Sequence, residues 1–114
     1  MPYIETETTV NITNEQKTAL KEAFGRDIEL IPGKSEAWLM LKIEGGCYMA
    51  FGGKTEPGAA MVKVSLLGKA TREVYDSLTA KICEDVSRIL DIPTDRIYVN
   101  YAEYSTWGHD GYNF

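Results

Sequence analysis

Apolar and polar side chains alternate from Pro2 to Thr8, with Tyr3, Glu5 and Glu7 facing one way and Ile4, Thr6 and Thr8 the other. A period of two predicts a strand. Thr13-Asn14-Glu15-Gln16 then fits a capping box, in which the Thr hydroxyl and the Gln side chain satisfy orphan N–H groups at a helix start. Ala19, Leu20, Ala23, Phe24 and Ile28 fall on one face of the helix that follows, and Pro32-Gly33 ends it. Glu36 to Glu44 reads as a second, mostly apolar strand. Beyond it, Gly45-Gly46 and Gly52-Gly53 flank Cys47-Tyr48-Met49-Ala50-Phe51. Ala60 to Leu66 predicts a third strand. From Thr71 a second helix carries Val74, Leu78, Ile82, Val86 and Ile89 at spacings of four and three, and Pro93 follows its end. Arg96 to Tyr101 is the last clear strand.

The order is strand-helix-strand twice over. Ser35 onward lines up with Thr94 onward, and the same shift lays Pro2 beside Met61, a slight similarity that suggests two repeated β-α-β units. Right-handed crossovers lay both helices on one face of a four-stranded mixed sheet, an α+β plan in a single domain spanning 1–114. The other sheet face is left bare, is expected to be apolar, and needs a cover; a neighbouring subunit is the simplest one.

At 114 residues, 44% of them hydrophobic, the chain suits one modest core. A net charge of -5, with no basic stripe, disfavours nucleic acid or an acidic membrane as partner. The opening MPYIETETTV has neither a basic nor an apolar signal region, so the expectation is a cytoplasmic protein whose export, if any, takes a non-classical route. Cys47 and Cys83 stand far apart without zinc-type spacing, and one histidine, His109, cannot complete a metal site. Both thiols read as core residues, and neither a metal nor a cofactor is expected.

Pro2 gains chemical interest only if Met1 is removed. The chain then opens with a secondary amine whose ordinary pKa is about 8. Burial and a nearby cation both disfavour its charged form, which tunes it towards the neutral range that general acid–base work requires. With Met1 retained, the Pro2 nitrogen is an amide without basicity.

Three motifs resemble one family. Met49-Ala50-Phe51-Gly52-Gly53 is followed by Glu56-Pro57 and Ala59; Pro93-x-Asp95-Arg96-Ile97-Tyr98-Val99-Asn100-Tyr101 forms the last main strand; and the tail is Trp107-Gly108-x-x-Gly111-x-x-Phe114. Together they are similar to the macrophage migration inhibitory factor (tautomerase) family, whose catalytic proline falls on Pro2. The likeness runs the whole length, in order. It implies a homotrimer with sites between subunits, and keto–enol tautomerisation of phenylpyruvate-like or dopachrome-like substrates without a cofactor.

By position, the resemblance makes Pro2 the base and Lys34 the ammonium that holds the substrate's carboxylate or carbonyl oxygen and favours neutral Pro2. Leu67 lines the pocket partly through its backbone. Tyr98 and Asn100 reach the site from the adjacent subunit, and being two apart on a strand they share a face. Phe114 closes the apolar wall, with Tyr3 near the entrance. The alternative the family allows is a cytokine-like extracellular protein with a vestigial pocket and a receptor partner. Three departures stand out. Gly58 and Met61 occupy the places of the CxxC found in the animal member, so thiol oxidoreductase activity is expected to be absent. His109 stands where tryptophan is common and the segment before Trp107 is shortened, which bear on the pocket rim and on substrate preference.

Overall fold

The computed structural model describes all 114 residues. Strand β1 (Pro2–Thr8) leads into helix α1 (Asn14–Asp27) and strand β2 (Met40–Glu44); strand β3 (Ala60–Leu67) leads into helix α2 (Arg72–Leu90) and strand β4 (Ile97–Tyr104). The four strands form one sheet in the order β2-β1-β3-β4. Each half pairs its own two strands in parallel across a helix, and the halves meet through the antiparallel pair β1–β3. The register betrays the repeat better than the residues do. Tyr3 lies opposite Met40 and Ala60 opposite Ile97, so in both halves a residue faces the one 37 positions further on.

Local chemistry fixes the helices. The Thr13 hydroxyl accepts from the Gln16 N–H at 3.1 Å while the Gln16 side chain accepts from the Thr13 N–H at 2.9 Å, which completes the capping box. Thr71 caps α2 by accepting from the Val74 N–H at 3.2 Å. Leu20, Phe24 and Ile28 from the first helical segment meet Leu78, Ile82 and Val86 from α2 over Ile4, Val62, Val64 and Leu66 of the central strands, all fully buried. Burying each such side chain contributes about 1.5–3 kcal/mol, so this layer carries most of the fold's stability. No helix is long and apolar enough to cross a membrane.

Four readings need correction. The second strand begins at Met40, because Glu36–Trp38 forms a turn of 3-10 helix. The apolar run from Ala37 to Leu41 has no period, so nothing in it marks the strand's start. The last strand continues past Tyr101 to Tyr104, and a small hairpin follows: β5 (Gly108–His109) against β6 (Tyr112–Asn113). The bare sheet face is not simply apolar. Glu5, Glu7, Lys42, Glu44 and Lys63 cross its middle, with ion pairs Lys42–Glu5 at 3.6 Å, Lys42–Glu44 at 3.5 Å and Lys63–Glu7 at 3.9 Å. Apolar side chains such as Tyr3, Met40, Met61 and Tyr98 stand nearer its ends. Finally, Cys47 and Cys83 are free and half-buried rather than core residues, although Cys83 packs against the core.

Candidate active site at the start of the first strand

Pro2 opens β1 on its buried face, opposite Leu66 of β3. The loop between α1 and β2 supplies Lys34. After α1, Gly33 adopts φ 82°, a conformation that a side chain resists, and the turn it makes sends the next residue back over the sheet. The Lys34 ammonium donates to the Leu67 carbonyl at 2.7 Å, and the Leu67 N–H donates to the Met1 carbonyl at 3.1 Å. That carbonyl is the one bonded to the Pro2 nitrogen. Pro2, Lys34 and Leu67 are therefore brought together.

The electrostatics of this corner discharge an amine. The amino group at Met1 is lowered from 8.0 to about 6, first by burial and then by the hydrogen bond and charge of Lys34. Both causes act the same way, because each penalises a second cation in a half-dry place. At neutral pH this amine is mostly a free base.

Beside it a cavity of about 1110 Å³ opens on the sheet face. Met1, Pro2 and Tyr3 lie at one end, Asn100 and Tyr104 on β4, and Trp38, Trp107 and His109 at the rim. Asn100 therefore shares the cavity with Pro2 and Tyr3. Tyr98 does not. It pairs with Met61, which pairs with Glu7, whereas the level of Pro2 on β4 is Glu103. Five residues along and two strands across put Tyr98 about 19 Å from Pro2 at ordinary strand spacings. Tyr98 is 61% exposed, available to something outside its own chain. Phe114 also lies apart from the cavity lining. Its backbone pairs with Trp107 at 2.9 and 3.1 Å, which closes the terminal hairpin, and its exposed ring is 6.4 Å from His109.

Trp38 was missed. Its ring meets His109 edge-on at 5.3 Å, so these two residues build one side of the rim. Read as a strand residue, Trp38 has no particular place; the 3-10 turn is what swings it to the mouth. The hairpin that carries His109 had a readable signal, since Asp110-Gly111 is a tight-turn pair and both residues have positive φ, 52° and 81°. As for a metal, ligand atoms of Glu7, Glu44 and Cys47 lie within 4.8 Å of one another on the sheet face. Lys63 and Lys42 already pair with the two carboxylates, and the group stands away from Pro2.

Known proteins match this arrangement along its length. The family described as macrophage migration inhibitory factor (MIF) matches residues 1–113. A macrophage migration inhibitory factor homolog of Brugia malayi is 28% identical over 116 residues, covering 100% of this chain and 99% of its own. Among solved structures, Leishmania major MIF2 superposes with a TM-score of 0.92 at 28% identity, covering 100% of this chain and 97% of that one. A homologue from Prochlorococcus marinus gives 0.88 at 27% identity, covering 98% of each. Fold and length agree with those of these proteins, and the chain belongs to the macrophage migration inhibitory factor family.

Proposed function

We propose that this chain is a cofactor-independent keto–enol tautomerase for small aromatic α-keto acids, working as a homotrimer with Pro2 as its base once Met1 is removed. The observation that carries the reading is the chain of hydrogen bonds from the Lys34 ammonium through Leu67 to the Met1–Pro2 peptide, a corner in which burial and the Lys34 charge lower the amine at Met1 to about 6. Removing Met1 moves that amine one residue inward, to a nitrogen buried at the head of β1. A neutral secondary amine there accepts a proton from the carbon next to the substrate carbonyl. The substrate's oxygens need donors, and two are at hand. The Lys34 ammonium offers charge, and the Leu67 N–H, which now donates to the Met1 carbonyl, is released when Met1 leaves. Donors aimed at a developing enolate stabilise it where charge appears. The protonated proline then returns a proton, to oxygen or to carbon, and the cycle closes without an external redox partner.

The separation of Tyr98 from Pro2 within one chain favours the oligomeric form of this reading. An exposed tyrosine some 19 Å from the base of its own chain serves substrate best in a neighbour's site, packing on an aromatic ring. The test is direct: assay phenylpyruvate tautomerisation on protein whose intact mass shows Met1 removed. Turnover is expected to be lost in Pro2→Gly and on insertion of an alanine before Pro2. Undiminished turnover in both variants would refute the proposal.

A further inference from the structure

Arg96 is 8% exposed and ends the 3-10 turn Thr94–Arg96, two residues before Tyr98. It faces no carboxylate. Its guanidinium instead donates to four main-chain carbonyls of the segment between β2 and β3: Phe51 at 2.8 Å, Lys54 at 3.0 Å, Pro57 at 2.8 Å and Gly58 at 3.4 Å. That segment has little regular structure of its own. The Phe51–Lys54 bridge encloses Gly52 and Gly53, both at positive φ, and the rest is loop. One buried cation therefore organises it, and the planar fork of arginine suits several carbonyls at once where a lysine's single ammonium does not.

The same guanidinium sits over the Phe51 ring, 5.1 Å from its centroid. The Phe51 ring in turn meets the Tyr98 ring at 4.6 Å with a 50° tilt. Phe51 is thus held by its carbonyl and by its ring face, and it presses on the exposed Tyr98 from inside its own chain. An exposed tyrosine ordinarily samples several rotamers, and a ring packed against it restricts them.

We propose that Arg96 is a positioning residue: through Phe51 it holds the Tyr98 ring in the orientation that serves the neighbouring subunit's substrate. This rests on the reading of Tyr98 as an interface residue, so the test separates the two. The protein carries 3-fluorotyrosine, with the Tyr98 resonance assigned by Tyr98→Phe. Arg96→Lys and Phe51→Ala are both expected to shift and broaden that resonance, Phe51→Tyr to restore it, with the same result in a Pro2→Gly background that cannot turn over. Kinetics then read the consequence. Phe51→Ala and Arg96→Lys should raise KM for phenylpyruvate about tenfold with kcat changed less than about threefold, and neither should add to Tyr98→Ala. An unmoved resonance in both variants overturns the positioning. A moved resonance with effects additive to Tyr98→Ala overturns its role in the reaction. Failure of the catalytic reading shows separately, as full turnover in Pro2→Gly with the fluorine result intact. Should Arg96→Lys not fold, Phe51→Ala and Phe51→Tyr carry the same comparison.

Discussion

The two halves of this molecule share a register to the residue, yet only one of them holds the candidate amine and its neighbouring ammonium. β1 faces β2 and β3 faces β4 at the same offset along the chain, and each half closes with a threonine-capped helix over the sheet. The shift that superposes the halves brings Met61 onto Pro2 and Pro93 onto Lys34. The second half thus has neither a candidate amine nor an ammonium at the corresponding corner. It contributes differently, through Tyr98 and Asn100 on β4 and through the hairpin that carries His109. A repeat can supply a frame twice, while a site needs its residues only where the copies diverge.

The comparison breaks most visibly at Pro2. Pro2→Gly should cut tautomerase turnover by about 100-fold or more, the usual share of a general base, while circular dichroism and thermal melting stay near those of the parent. Met61→Gly at the matching place in the second half should leave chemistry far less affected. Next in size is Lys34. Lys34→Met removes a charged donor and is expected to lower kcat/KM by about 10- to 100-fold. It also removes a cause of the lowered amine pKa, so that value rises towards 8.0. Because the base works uncharged, activity falls as pH drops through the amine pKa, and the acidic limb of the rate profile should move to higher pH in this variant.

A smaller effect tests the contact between the halves. Asp27 at the end of α1 and Asp85 of α2 are 4% and 1% exposed, and each has an oxygen without a partner. Asp27 is raised to about 8, chiefly by burial and by Asp85, against the opposing charges of Lys81 and Arg26. Arg88 donates to Asp85 at 3.1 Å, and Asp27 is the carboxyl that holds a proton. Between the ordinary pKa of 3.8 and about 8 the native state binds a proton that the unfolded chain has released. Stability therefore falls as pH rises through that window. Asp27→Asn should flatten this slope and gain about 1 kcal/mol at pH 8 in urea unfolding, since an amide donates without needing a proton. Smallest is the difference between the caps. Thr13→Ala and Thr71→Ala should each cost about 1 kcal/mol. Only the first should couple to a Gln16→Ala change, because only α1 has the reciprocal bond.

Elements whose burial is one-sided were legible in the sequence. The alternation of β1, the capping box of α1 and the spaced apolar face of α2 each put a period or a specific hydrogen bond into the residues themselves. Where burial lacks a period the boundary was lost, as at Glu36–Trp38, and Trp38 was lost with it. The ion pairs across the open face were half visible: Glu5 and Glu7 alternate in β1, but their partners Lys42 and Lys63 come from strands whose register no local pattern fixes. Of the candidate site, Pro2, Lys34 and Leu67 came together, and Tyr3 and Asn100 share the adjoining cavity. The distance of Tyr98 from them follows from sheet order, which is a long-range property. The hold of Arg96 on four carbonyls was equally hidden, since nothing near Arg96 in sequence announces it.

The account depends on an amine that is uncharged at neutral pH in the corner shared by Lys34 and Leu67. Its most direct test is an NMR titration of nitrogen-15-labelled proline at the N-terminus of Met1-free protein. The expected result is a pKa well below 8.0 that rises when Lys34 is replaced by methionine. A nitrogen that titrates at or above 8.0, or that does not titrate because it is acylated, would contradict it.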